Sequence, residues 1–199
     1  MQIDHLVFAS SDLAAGRAAM EELLGVRAGG AGVHALMGTH NALWSLGGCY
    51  MEVIAIDPKA QPSRPRWFGL DDPAVRARLT SQPRLIHWQV RVGDIDAARA
   101  WMPQGTGPAI EVTRDDLSWR LTVREDGALS AGGAIPTLIE WGDPTRTPEK
   151  TLPDAGLRLD RLDVPGDPVE RLADVPRVRY GAAALAAHVT TPAGPVLLT

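Results

Sequence analysis

Four short apolar runs each enclose one histidine or one glutamate: "IDHLVFA" (3–9), "YMEVIAI" (50–56), "RLIHWQV" (84–90) and "PTLIEW" (136–141). Their β-branched and aromatic content predicts strands, and a carboxylate or imidazole inside a half-buried strand needs a partner. Between the first two runs, "SSDLAAGRAAMEELLGV" (10–26) has helical spacing, with Leu13, Met20, Leu23 and Leu24 as its buried stripe and Ser11 or Asp12 as N-cap. A glycine-rich connection at 29–32 follows. Two strand candidates, "THNALWSLG" and "CYMEVIAI", then turn on Gly47 and Gly48.

The pattern changes at 59–83, which is rich in proline and carries one short helix in "LDDPAVRARLTS", with Asp72 as cap and Pro73 in the first turn. It then restarts. "RLIHWQV" reads as a strand and "GDIDAARAWM" as a helix, with later strands in "SWRLTVRED" and "PTLIEW". Shifting the chain by 82 residues places His5 on His87, Asp12 on Asp94, Ala15 on Ala97, Arg17 on Arg99, Ala18 on Ala100 and Met20 on Met102 without a gap. A histidine and a capping aspartate in the same register point to a duplicated unit. The expected organisation is a first module at 1–58, a crossing segment at 59–83, a second module at 84–145, and a partial third βαββ module at 156–199 that covers an edge or completes the core.

Each full module supplies a strand histidine and a strand glutamate. Glu140 lies 88 residues after Glu52, so this alignment needs an insertion of about six residues beyond the 82-residue offset, easily absorbed in a turn. Alternation puts His5 on a face with Ile3 and Val7, and His87 on a face with Leu85 and Gln89. Two modules related by a pseudo-twofold would bring both pairs toward one axis. Two imidazoles and two carboxylates suit a divalent ion such as zinc, nickel, cobalt, manganese or iron, which would also compensate the charge of Glu52.

With "IDHLVF", "YMEVIAIDP", "LIHWQV" and "PTLIEW" at four ligand-bearing strands, the chain resembles the vicinal oxygen chelate superfamily. "MGTHNALWSLG" and the extra C-terminal part are similar to its glyoxalase-like subgroup. The resemblance implies an α+β protein whose paired βαβββ modules form a cupped, mostly antiparallel sheet. It further implies His5, Glu52, His87 and Glu140 as metal ligands, and a lyase or isomerase acting on a small oxygenated substrate. In that chemistry the metal chelates neighbouring oxygens while Glu140 or Glu52 moves a proton. A binding or sequestration protein using the same cleft, and an iron-dependent dioxygenase using two histidines and one carboxylate, are the alternatives.

Composition narrows the partners. A formal charge of −4 gives no attraction for polyphosphate or an anionic membrane surface, so neither nucleic acid nor membrane is expected. No apolar run reaches the roughly 18 residues a spanning helix needs. The opening "MQIDHLVFAS" has no basic leader, and the single cysteine, Cys49, suits a reducing cytoplasm. A small molecule is the expected partner, with a homodimer possible. His40, Gln89 and Arg91 are candidate substrate contacts, and the basic residues at 59–84 a candidate lid for an anionic substrate. The chain has no "GxxxxGK[ST]", "GxSxG", "HExxH" or dinucleotide fingerprint.

Overall fold

The computed structural model describes residues 1–199. Its strands are β1 (Gln2–Ala9), β2 (Gly30–His34), β3 (Thr39–Ser45), β4 (Tyr50–Ile56), β5 (Arg84–Arg91), β6 (Ala109–Arg114), β7 (Leu117–Thr122), β8 (Thr137–Trp141), β9 (Arg158–Pro165), β10 (Val178–Ala182), β11 (Ala186–Thr191) and β12 (Gly194–Leu198). The helices are α1 (Leu13–Leu24), α2 (Pro73–Arg76), α3 (Ile95–Arg99) and α4 (Pro148–Thr151). None is long and apolar enough to cross a membrane.

The first eight strands form one sheet in the order β2-β3-β4-β1-β5-β8-β7-β6, and the last four a second in the order β10-β9-β11-β12. The eight-stranded order reads as β2-β3-β4-β1 followed by its symmetric counterpart. This is the expected α+β fold of paired βαβββ modules. The two halves join through β1 and β5, which run antiparallel with Leu6 opposite Trp88. These residues are 82 apart, so the pseudo-twofold passes between them and the sequence offset becomes a structural one. Each module's helix is capped alike: the Ala15 N–H donates to Asp12 Oδ1 at 2.8 Å, and the Ala97 N–H donates to Asp94 Oδ1 at 3.0 Å.

Two apolar clusters lie on opposite faces of the large sheet. On the convex face Leu6, Phe8, Trp44 and Trp88 pack with Met20 and Leu24 of α1, Ile95 of α3, and Leu162, Val164, Ala187 and Val189 of the small sheet. The C-terminal strands therefore cover the back of the cup. Burying each large side chain there contributes about 1.5–3 kcal/mol. On the concave face Val7, Ile54, Val112, Leu121, Ile139, Trp119 and Trp141 meet Trp67 and Phe68, which the crossing segment inserts from above.

Two local features depart from the sequence reading. The glycine-rich stretch expected as a connection is strand β2, antiparallel to β3. Glycine is a poor strand former, but a Cβ at position 32 would lie 2.4 Å from Nη1 of Arg114, so glycine leaves room for the side chain that crosses from β6, which a larger residue would push aside. In β1 the register against β5 shifts between Ile3 and His5. This irregularity leaves Ile3 in the convex cluster while Asp4 and His5 both make contacts inside the cup. Ile3 and His5 therefore do not share a face.

Candidate active site

The floor of the cup carries a chain of polar side chains from neighbouring strands. In β1, Asp4 is fully buried and accepts three kinds of donor: His5 Nδ1–H at 2.7 Å, Arg91 Nε–H at 2.6 Å and Trp141 Nε1–H at 2.9 Å. Burial alone would push its carboxyl up. The hydrogen bond and charge of His5, with the charge of Arg91, outweigh that and hold it below the ordinary carboxylate range. An ionised Asp4 can only accept, which fixes the proton of His5 on Nδ1 and turns Nε2 toward β4.

There Glu52 is buried, with Oε1 3.7 Å from His5 Nε2, too long for a direct hydrogen bond. Its other oxygen accepts from Asn41 Nδ2 at 2.6 Å. Burial raises the Glu52 pKa above the ordinary value, and the opposing effects of His5, Asn41 and Arg114 do not cancel it. Tyr50 stacks on the His5 ring at 4.4 Å between centroids. Gln89, directly opposite His5 across the β1–β5 ladder, completes the floor.

Around this chain stand His34, Arg114, Trp119 and Trp141, with Trp67 and Phe68 above. His34 Nδ1 lies 3.1 Å from Thr39 Oγ1, and its ring sits edge-on to Trp67 at 4.9 Å. Burial, aided by the charge of Arg114, pushes its pKa down to about 3. The enclosed cavity of about 20 Å³ has room for roughly one water. A second cavity of about 20 Å³ lies beside His87, and Trp67 and Phe68 line both. Phe68 adopts a left-handed backbone (φ 60°), a conformation costly for a bulky residue, followed by Gly69 at φ 68°. The turn is anchored by the Gly69 N–H to the Gly127 carbonyl at 2.8 Å and by the Arg66–Asp71 ion pair at 2.7 Å.

The sequence profile of the glyoxalase-like domain matches residues 3–175. The chain belongs to the glyoxalase-like domain family. No curated protein sequence matches it. Among solved structures, a hypothetical protein from Staphylococcus aureus is 16% identical, with 83% of this chain and 69% of that one aligned and a TM-score of 0.54. A methylmalonyl-CoA epimerase from Streptomyces coelicolor is 18% identical over 72% of this chain and 99% of its own, with a TM-score of 0.47. The epimerase from Mycobacterium tuberculosis is 18% identical over 70% and 86%, with a TM-score of 0.44. The fold is that of the vicinal oxygen chelate superfamily, as the strand motifs suggested.

Within this glyoxalase-like cup the four anticipated ligands separate. His5 and Glu52 face each other. His87 lies on the same sheet face, but its Nε2 is 2.8 Å from the Thr137 hydroxyl and accepts from the Thr137 N–H at 3.1 Å, while Nδ1–H donates to the Gly133 carbonyl at 3.3 Å. Glu140 is turned to the other face, where its Oε2 accepts from Arg120 and from the Ile95 N–H, each at 3.4 Å. The ladder explains this. Val7 pairs with Glu52 and its counterpart Gln89 pairs with Thr137, so Thr137, 85 residues on, is the equivalent of Glu52. Aligning Glu52 with Glu140 misplaces the register by three residues, and a shift by an odd number inverts the face. Two facing donors do not make the four-ligand centre, and the residues present do not fit the divalent ion that the resemblance implied.

Two of the three candidate substrate contacts also move. His40 shares a strand face with Ala42 and Trp44 of the convex cluster; its neighbour Asn41 is the residue in the cup. Arg91 is tied to Asp4 and to Glu149 at 2.5 Å. It holds Asp4 in place and is not free for substrate. Gln89 does line the cavity. The residues not anticipated are Asp4, whose orientation depends on the register shift; Asn41, hidden behind the histidine next to it; and Arg114, brought in by the approach of two sheet edges distant in sequence. The one available signal was the number of tryptophans, of which Trp67, Trp119 and Trp141 wall the cavity.

Proposed function

We propose that the chain is an isomerase-type enzyme that moves a proton at a carbon next to a carbonyl of a small oxygenated molecule, with Glu52 as the base and His5 at the oxygen. A cytoplasmic setting goes with this reading. The observation that carries it is the Asp4–His5–Glu52–Asn41 chain: a buried carboxylate biased toward holding a proton, faced by an imidazole whose other nitrogen is fixed. A general base works best when its pKa lies near the operating pH, and burial moves Glu52 in that direction. Asn41 fixes one carboxylate oxygen and leaves Oε1 turned to the reaction space.

The step follows from these positions. Glu52 Oε1 takes the proton from carbon, and the C–H electron pair moves into a carbon–carbon double bond as charge develops on the neighbouring oxygen. His5, with Nδ1–H held by Asp4, takes the proton of the adjacent hydroxyl at Nε2 and passes it to the charged oxygen. Return of the proton to either carbon completes an isomerisation or epimerisation. The Trp67–Phe68 turn keeps bulk water away, which strengthens both interactions. No step is routed through a divalent ion. The dioxygenase reading loses support because its second histidine, His87, is engaged by Thr137. Non-catalytic binding in the same cup is separated by turnover alone.

The test is wash-in of solvent deuterium at the exchangeable carbon of a panel of small ketols, followed by NMR. Incorporation above the buffer rate that is lost in Glu52→Gln supports the proposal. Equal incorporation in wild type and Glu52→Gln ends it.

A further inference from the structure

Eight buried side-chain polar atoms in the molecule lack a hydrogen-bond partner, and four of them, Asn41 Oδ1, Trp67 Nε1, Gln89 Oε1 and Arg114 Nε, belong to residues lining the His5–Glu52 cavity. Buried polar groups are nearly always satisfied, so their concentration around one cavity marks the place of a polar ligand. Two of the four are donors, one of them cationic, and two are acceptors. A complementary ligand has an anionic acceptor at one end and a hydroxyl donor at the other.

Arg114 supplies the specificity. Its guanidinium crosses from the end of β6 over Gly32, lies 6.0 Å above the Trp119 ring, and reaches the cavity that holds His5 and Glu52. Each arginine at the cup has one buried nitrogen without a hydrogen bond, Nη2 of Arg91 and Nε of Arg114, but Arg91 is ion-paired to two carboxylates and Arg114 to none. A planar guanidinium with free donors is suited to a carboxylate. The space holds roughly one water, so admitting such a ligand requires the Trp67–Phe68 turn to shift.

We infer that the cup selects a small carboxylate bearing an adjacent ketol, a 3-hydroxy-2-oxo acid, with Arg114 as the counter-ion of its carboxylate. This rests on the proton-transfer reading above and names its substrate class. Glu52 takes the C3 proton, the freed pair forms the C2–C3 double bond of an enediolate, and charge appears on the C2 oxygen. His5 transfers a proton between the two oxygens, and return of the carbon proton at C2 gives the 2-hydroxy-3-oxo isomer. No redox partner is needed.

Hydroxypyruvate and dihydroxyacetone are matched probes, since both are ketols and only the first carries a carboxylate. Binding is read by ligand-observed NMR, and exchange by deuterium wash-in at C3. The expected result is binding of hydroxypyruvate at least about tenfold tighter than dihydroxyacetone, with the preference abolished in Arg114→Met and partly kept in Arg114→Lys. Should Arg114→Met fail to fold by circular dichroism, the ratio of the two affinities in wild type and Arg114→Lys decides. Equal affinities for the two probes, or a preference that survives Arg114→Met, overturn the assignment even where Glu52-dependent exchange persists. Arg114-dependent binding without Glu52-dependent exchange upholds the carboxylate site and sinks the proton-transfer reading.

Discussion

The two halves of the cup share a backbone and differ in chemistry. Matched through the ladders, Glu52 corresponds to Thr137, Asn41 to Leu121 and His34 to Val112, while His5 and His87 are counterparts. In the first half the histidine faces a carboxylate across a 3.7 Å gap. In the second it is closed onto a threonine at 2.8 Å with no nitrogen free. One half thus keeps an imidazole and a carboxylate facing each other across a gap, and the other uses the same histidine to hold strands together. Duplication supplies the cup, and divergence at three positions makes its two sides chemically different.

Substituting the equivalent residue in each half should separate their roles. Glu52→Gln should lower turnover by roughly 10²–10⁴-fold, the range for loss of a general base, with a much smaller effect on substrate affinity. Thr137→Val, at the matching position, should leave turnover nearly unchanged. Steady-state kinetics on both variants decides, and comparable losses would make the site symmetric after all.

Stability should show the reverse asymmetry. His87→Ala removes a side chain hydrogen-bonded at both nitrogens and leaves the Thr137 and Gly133 groups unpaired, at a cost of about 1–3 kcal/mol in chemical denaturation. Acid should destabilise the fold through the same residue and His34. Burial lowers both pKa values to about 3, against an ordinary value of 6.5. The unfolded chain therefore binds their protons first, and stability falls as pH drops from 6.5 toward about 3, with no contribution from these groups above that window. Asp4, held low, adds a further loss at the acid end, while protonation of Glu52 works in the opposite direction. A denaturation midpoint that is flat across this range would show the histidines to be solvated.

The smallest effect is expected at Glu140. Its pairing with Arg120 is a partly exposed ion pair at 3.4 Å, which solvent screens. Glu140→Gln should change neither turnover nor stability appreciably, and a loss of activity comparable to that of Glu52→Gln would return it to the site.

The duplication was legible because it is written in residues whose work is local. Asp12 and Asp94 cap their helices, and His5 and His87 mark the paired central strands. The glutamates were harder. "YMEVIAIDP" and "PTLIEWGDP" each carry a glutamate followed closely by Asp-Pro, yet the face of each carboxylate is set by hydrogen-bond register with a strand distant in sequence, and there Thr137 takes the place of Glu52. Asp4 was hidden by a register shift that alternation cannot show. Arg114 belongs to a strand whose pattern is ordinary; its place follows from the near-closure of the cup, where Gly32 gives it room. The polar identity of the site was readable, while its membership depended on tertiary geometry.

In the proposed mechanism Glu52 holds its proton more tightly than an ordinary glutamate and acts with His5 without a bridging cation. A carbon-13 NMR titration of the Glu52 carboxyl in chelator-treated protein, repeated with added zinc, tests this directly. A midpoint above the ordinary 4.5, with no zinc-induced change at Glu52 or His5, is the expected result. A midpoint at or below that value, or zinc perturbing both residues together, would contradict it.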